Sequence, residues 1–149
     1  MPSIQGNHNG RAAIVTIAII DAANYNNHKA SDDRVLKGAF PFQALIDTGA
    51  TRTMIATRVV TRLNLQPVNK LDFAGLGGVS RRNGYLFHVA FYKSPPANAS
   101  EVSNIQVFKK AINGGELSGE NTFDVLLGMD VLTSGNLHIN KVGTFRFLF

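Results

Sequence analysis

At 149 residues, with 44% hydrophobic and 17% charged positions, the chain is long enough to bury one core and short for two. The absence of cysteine excludes a disulfide framework and thiolate chemistry, and a formal net charge of +5 favours acidic over basic partners. Arg52, Arg58, Arg62, Arg81 and Arg82 form no lysine-rich run and do not interleave with aromatics, so they read as a solvated basic face and no nucleic-acid partner is expected.

The first residues, "MPSIQGNHNGR", lack the apolar centre of a signal peptide, and no apolar run approaches membrane-spanning length. A cytoplasmic protein without a membrane partner is the expectation. "AAIVTIAII", residues 12 to 20, reads as a strand of nearly continuous apolar character. The polar "DAANYNNHKASDDR" that follows reads as a loop. "AFPFQALID" is a second strand with Pro41 near its start, where a missing N–H is tolerated, and the two strands are expected to pair antiparallel across a long excursion. In "TMIATRVVTRLNL" the period changes. Ile55, Val59, Val60 and Leu63 fall at helical spacing, Asn64 offers a left-handed stop and Pro67 follows, which predicts a short helix over 56–63.

"LDFAGLGGVSRRNGYLFHVAFY" contains two β-prone runs around glycine-rich turns, hence a hairpin or two. "KSPPANAS" reads as a loop, "EVSNIQVFKKAI" as a strand and "NGGELSGENT" as another loop. "FDVLLGMDVL" is an apolar strand that breaks at Gly128, and "GNLHINKVGTFRFLF" gives two short strands around a turn at Lys141 to Gly143. No internal repeat is present. The expected fold is all-β, one domain over residues 1–149, with one or two short helices.

Chemistry concentrates in "FQALIDTGATRTMI", where an apolar climb through Ala44, Leu45 and Ile46 ends on the carboxylate of Asp47. A glycine two residues later allows a tight turn that holds this carboxylate close to main chain. Burial raises the pKa of such a group and hydrogen bonds to its anion lower it. Taken alone, Asp-Thr-Gly is also an ordinary turn, since all three residue types favour turns. Its context is more specific: "ALIDTGAT", then "GLGG" at 75–78, then "DVLLGMDVL" at 124–132, in that order.

In this arrangement the chain resembles the retropepsin-like aspartic proteases over about half its length. The resemblance implies a closed, pepsin/retropepsin-like acid-protease barrel with one lobe per chain. It implies that Asp47 is the catalytic aspartate, that Thr48 links the two active-site loops of a dimer, that Gly49 passes close to substrate, and that Ala50 completes the loop. Gly75, Leu76, Gly77 and Gly78 would form a flap over the substrate, with Leu76 at its apex. Leu126 to Gly128 would pack behind the Asp47 loop and "MDVL" would be a short helix. Retroviral members often carry an acidic residue at the position of Thr51 and an arginine at that of Met129. Both are absent here, and Asp130 with Thr51 or Arg52 is the candidate replacement. Surplus length falls in residues 21–37, in roughly 93–122, and in the "FRFLF" tail, which is expected to form a terminal hairpin in place of interleaved chain ends.

Hydrolysis by this route needs two carboxylates, one accepting a proton from water and the other donating one to the carbonyl oxygen. The chain holds one Asp-Thr-Gly, and Asp124 and Asp130 lack the following Thr/Ser-Gly. The expected active unit is therefore a homodimer acting on a peptide or protein substrate, without cofactor or metal. The alternative is a non-catalytic retropepsin-fold module for peptide binding or dimerisation. His8, His28, His88 and His138 are scattered without metal-ligand spacing, no Gly-x-Ser-x-Gly elbow occurs, and "GLGGVS" lacks the lysine of a phosphate-binding loop.

Overall fold

The computed structural model describes residues 3–27, 40–93, 105–119 and 121–149. In chain order the elements are β1 (Ser3–Asn7), β2 (Ile14–Asp21), α1 (Ala22–Asn27), β3 (Phe42–Ile46), β4 (Met54–Ala56), α2 (Thr57–Leu63), β5 (Asn69–Gly75) and β6 (Gly78–Tyr92), followed by β7 (Ile105–Val107), β8 (Ile112–Leu117), β9 (Val125–Leu127), α3 (Met129–Leu132), β10 (Asn136–Ile139) and β11 (Thr144–Leu148). The "KSPPANAS" loop after its first residue, the end of the excursion before Phe40 and the first residues of "EVSNIQVFKKAI" lie outside the described residues.

The apolar run of β2 is continuous because both of its faces are covered. Val15, Ile17 and Ile19 point into the main core with Phe42, Ile55, Phe87 and Val125. Ala18 and Ile20 point the other way, onto a smaller cluster with Ala90, Tyr92, Tyr25 of α1 and Ile105 and Val107 of β7. The first half of β2 pairs antiparallel with β3, Ile14 to Ile17 against Leu45 to Phe42, as expected. Its second half pairs with β6, Ile17 to Asp21 against Phe91 to Phe87. That double use closes the sheet, whose order β2-β3-β9-β4-β8-β6 returns to β2. The fold is thus a closed, mostly β barrel with a few short helices.

Two segments expected to be loops are regular. α1 occupies "AANYNN", just after Asp21, whose Oδ1 accepts from the Ala23 N–H at 3.4 Å, and the Tyr25 ring stacks on buried His88 at 3.9 Å. So short a helix stands on tertiary packing, which composition does not reveal. The "NGGEL" segment is β8. An ideal Cβ on Gly114 would lie 2.6 Å from the Phe87 ring, and one on Gly115 would lie 2.3 Å from the Phe73 ring. The glycines therefore make room for aromatic rings laid across the strand, and do not mark a turn. α2 agrees with expectation to within a residue. Val59 is fully buried, and Asn64 ends the helix at φ 51°, ψ 42°.

The tail forms the expected hairpin, β10 against β11, and acquires a third strand, β1, so that β11 lies in the centre of a separate sheet. Alternation in "TFRFL" sends Phe145 and Phe147 inward, both essentially buried. Phe147 stacks on Phe149 at 5.3 Å and meets the edge of Phe91 at 5.9 Å, joining this sheet to the barrel core. Truncating Phe147 to alanine is expected to cost about 3–5 kcal/mol in urea unfolding. Unchanged stability would mean that the terminal sheet adds nothing to the barrel.

Candidate active site

Asp47 emerges at the end of β3, whose neighbour β9 runs parallel with Ile46 opposite Leu127. The Asp47 N–H continues that ladder by donating to the Leu127 carbonyl at 3.0 Å. The chain then turns: the Ala50 N–H donates to the Asp47 carbonyl at 3.3 Å, and the Gly49 N–H donates to Asp47 Oδ1 at 2.8 Å. One carboxylate oxygen is thereby held by main chain, on a side chain that is half-buried at the tip of a rigid strand. A Cβ on Gly49 would sit 3.2 Å from that same oxygen.

The loop beyond Asp47 is stitched to α3 along its length. Met129 N–H donates to the Ala50 carbonyl at 2.8 Å and Asp130 N–H to the Thr51 carbonyl at 3.2 Å. In return, the Asp130 carboxylate accepts from the Thr53 N–H at 2.9 and 3.0 Å and from the Thr53 hydroxyl at 2.7 Å. That hydroxyl also accepts from the Gly128 N–H at 3.1 Å. The corner lacking a retroviral-type acid and arginine is therefore held by Asp130 with Thr53. The expected side-chain partners do not serve: Thr51 offers only its carbonyl, and the Arg52 guanidinium donates to the Asn113 carbonyl at 3.3 Å. Thr53 was legible in principle. It shares the inward parity of Ile55, is fully buried, and a buried hydroxyl needs a partner. Leu126 to Gly128 do pack behind the loop, so closely that a Cβ on Gly128 would lie 2.5 Å from the Arg52 carbonyl carbon.

Asp124 is also committed. Its Oδ1 pairs with Arg58 Nε at 2.6 Å and its Oδ2 accepts from the Gln43 N–H at 2.8 Å, tying α2 to β3. Among the described residues, no group of His, Asp and Glu side chains converges as metal ligands would.

The β5–β6 hairpin turns through Leu76 and Gly77, with Gly75 opposite Gly78 and Gly78 at φ 99°, a conformation that suits glycine. Between hairpin and loop lies a cavity of about 640 Å³ lined by Gly49 and Ala50 on one side and by Gly75, Gly77 and Gly78 on the other. Asp47, Thr48 and Leu76 do not line it. Leu76 stands fully exposed, and Thr48 borders a separate cavity of about 210 Å³ with His8, Arg11, Ile46 and Ile139. At the hairpin base, burial pushes the Tyr85 phenol above its ordinary pKa. A hydrogen bond with Asn83 opposes that rise, and Glu116, 3.1 Å away, adds to it.

A model of the family described as aspartyl protease matches residues 34–131, a span that contains the Asp47 loop, the hairpin and all but the last residue of α3. The chain belongs to the aspartyl protease family. Its fold is that of the retropepsin-like members: the crystal structure of a retropepsin-like aspartic protease from Rickettsia conorii superposes with a TM-score of 0.60 over 98% of this chain and 90% of that one, at 13% identity. No curated protein matches in sequence. The terminal sheet lies outside the part of the chain that matches the aspartyl protease family. No helix among the described residues is long and apolar enough to cross a membrane.

Replacing Thr53 by isosteric valine leaves the Asp130 carboxylate and the Gly128 N–H short of a partner in a buried corner. The expected loss is about 2 kcal/mol in urea unfolding, with Thr53→Ser close to the parent. A valine variant as stable as the parent would show that the hydroxyl is not what holds the loop.

Proposed function

We propose that the chain is an aspartic endopeptidase whose active unit is a C₂ homodimer, with Asp47 of each copy facing the other across the axis. The observation that carries this reading is the distribution of aspartates around the loop. Asp47 offers a carboxylate at a strand tip, whereas Asp124 and Asp130 are consumed by structural hydrogen bonds. A chain with a single Asp-Thr-Gly has no second acid to offer, so a second copy supplies it.

Two such carboxylates at about 3 Å do not both ionise freely and share one proton. A water between them gives its proton to the ionised member and attacks the scissile carbonyl carbon. The protonated member donates to the carbonyl oxygen as the tetrahedral intermediate forms. Main-chain hydrogen bonding to Asp47 Oδ1 fixes the carboxylate plane before substrate arrives. Thr48, exposed beside the Asp47 loop, is the residue assigned to bridge the two loops of the dimer. Substrate would lie extended in the cleft as an added strand, beneath a hairpin that acts as the flap. Residues 1–149 form one catalytic half.

Cleavage of a peptide library between acidic and neutral pH tests this reading. Asp47→Asn is expected to lower kcat/KM by at least about 10²–10⁴-fold while leaving the fold intact. Activity is expected to follow a dimer in sedimentation, with a bell-shaped pH profile. Undiminished cleavage by Asp47→Asn, or an active monomer, would overturn the proposal. A dimer that binds peptides and never cuts them would instead be a binding module.

A further inference from the structure

Two arginines line the cavity between the Asp47 loop and the hairpin: Arg52, on the loop, and Arg82, on β6, which also borders a neighbouring cavity with Glu116 and Ser118. They approach β8 from opposite flanks, since β4, which follows Arg52, and β6 are its two neighbours in the sheet. Each is oriented by a carbonyl of β8, Arg52 by Asn113 at 3.3 Å and Arg82 by Glu116 at 3.2 Å. Arg82 also donates to the Ser118 hydroxyl at 2.7 Å and, through Nε, to Ser80 at 3.1 Å. A guanidinium has five N–H donors, so both retain donors after these bonds. Among the described residues neither is paired with a carboxylate. Among the described residues the cavity has one acid, Asp72, which lies 3.9 Å from Arg81 and is well exposed, so it offsets little of this positive charge. Met54, Phe73 and Leu117 give the same cavity an apolar wall.

Two oriented cations beside an apolar wall select an extended residue with an acidic end. We infer that this cavity is a specificity subsite for a glutamate or aspartate side chain of the peptide substrate, with Arg52 and Arg82 as the residues that read its charge. The inference rests on the protease reading above. The cavity borders Gly49 and Ala50 and not Asp47, so the acid sits away from the residues that flank the scissile bond. The dyad repeats the cavity, so peptides with one acid on each side of the bond are the preferred substrates.

The test is a set of octapeptides with apolar residues at the scissile bond and Glu, Gln or Lys placed in turn at each outer position. At one or more positions, Glu is expected to exceed Gln in kcat/KM by about tenfold, the factor associated with one charge-assisted contact in a part-exposed site, and Lys is expected to be worst. The Glu/Gln ratio is expected to shrink in high salt. It should fall towards one in Arg52→Gln and in Arg82→Gln, and the ratio remains readable if either variant lowers overall activity. Equal rates for Glu, Gln and Lys peptides, or a ratio unchanged in both variants, would overturn the inference. Fluorescence anisotropy of labelled Glu and Gln peptides on the Asp47→Asn protein reads the same preference without cleavage. If the parent cuts nothing, the protease reading fails, yet tighter binding of the Glu peptide still supports the acidic subsite and equal binding rejects it.

Discussion

The loop that follows β3 has no strand beside it on its outer side, so its main-chain groups must find partners elsewhere. They find them in one short stretch, Gly128 to Asp130, which gives two amides to the loop carbonyls and one carboxylate to the Thr53 amide and hydroxyl. Everything on the substrate side depends on that exchange. A carboxylate intended to hold a water or a proton is useful only if its position is set before the reactants arrive. Asp47 meets this condition through its parent strand, through Leu127, and through the Gly49 N–H. Gly128 contributes by being absent as a side chain, which lets the Arg52 main chain pass over it at a distance no Cβ would tolerate.

Three aspartates near this corner show how placement decides what a carboxylate does. Asp124 is satisfied by Arg58 and the Gln43 amide, and so joins a helix to a strand. Asp130 accepts from Thr53 twice over and replaces an acid–arginine pair with an acid–hydroxyl one. Among the described residues its partners are hydrogen-bond donors and no cation, an arrangement that requires close donors and a fixed α3. Asp47 alone has a carboxylate oxygen without a donor among the described residues, and so alone retains chemistry to offer.

How much of this was legible depended on whether a feature was local. The end of α2 at Asn64 and the turn near Lys141 to Gly143 each follow from one residue's backbone preference and were readable, as was the break at Gly128, although its glycine serves close packing rather than a special backbone angle. α1 and β8 were not, because each owes its regularity to an aromatic ring from elsewhere: His88 stacked on Tyr25, and Phe87 and Phe73 laid over adjacent glycines. A glycine pair under a ring and a glycine pair in a loop have the same sequence. The Asp-Thr-Gly loop was legible by its motif, whereas the Thr53–Asp130 bond spans 77 positions and is visible only to someone asking where a buried hydroxyl finds its partner. The pairing of Arg52 with Arg82 in the proposed subsite was not legible for a related reason. Arg52 and Arg82 are far apart in sequence, and only β8 brings them to one wall.

In the proposed homodimer, the terminal sheet changes what pairing of two copies must accomplish. In the retroviral relatives that the sequence resembles, chain ends of two protomers interleave, so association and burial of the ends are one event. Here β11 already has β1 on one edge and β10 on the other, and its Phe145 and Phe147 are buried within the same chain. The Gly10 N–H donates to His8 Nδ1 at 3.1 Å, so the other ring nitrogen is the donor to the Asn140 carbonyl, 2.6 Å away; this clamps the loop after β1 onto the turn between β10 and β11. The apolar faces of β11 are thus covered inside the protomer. What remains for a partner is the side where Thr48, Arg11 and half-exposed Ile139 surround a small cavity, with Val142 exposed nearby on the turn. That is a modest apolar surface beside a cationic one. The proposed dimer, built on it, would draw less on strand exchange and more on the Asp47 loops themselves, so that assembling the pair and assembling the proposed catalytic centre would be the same step.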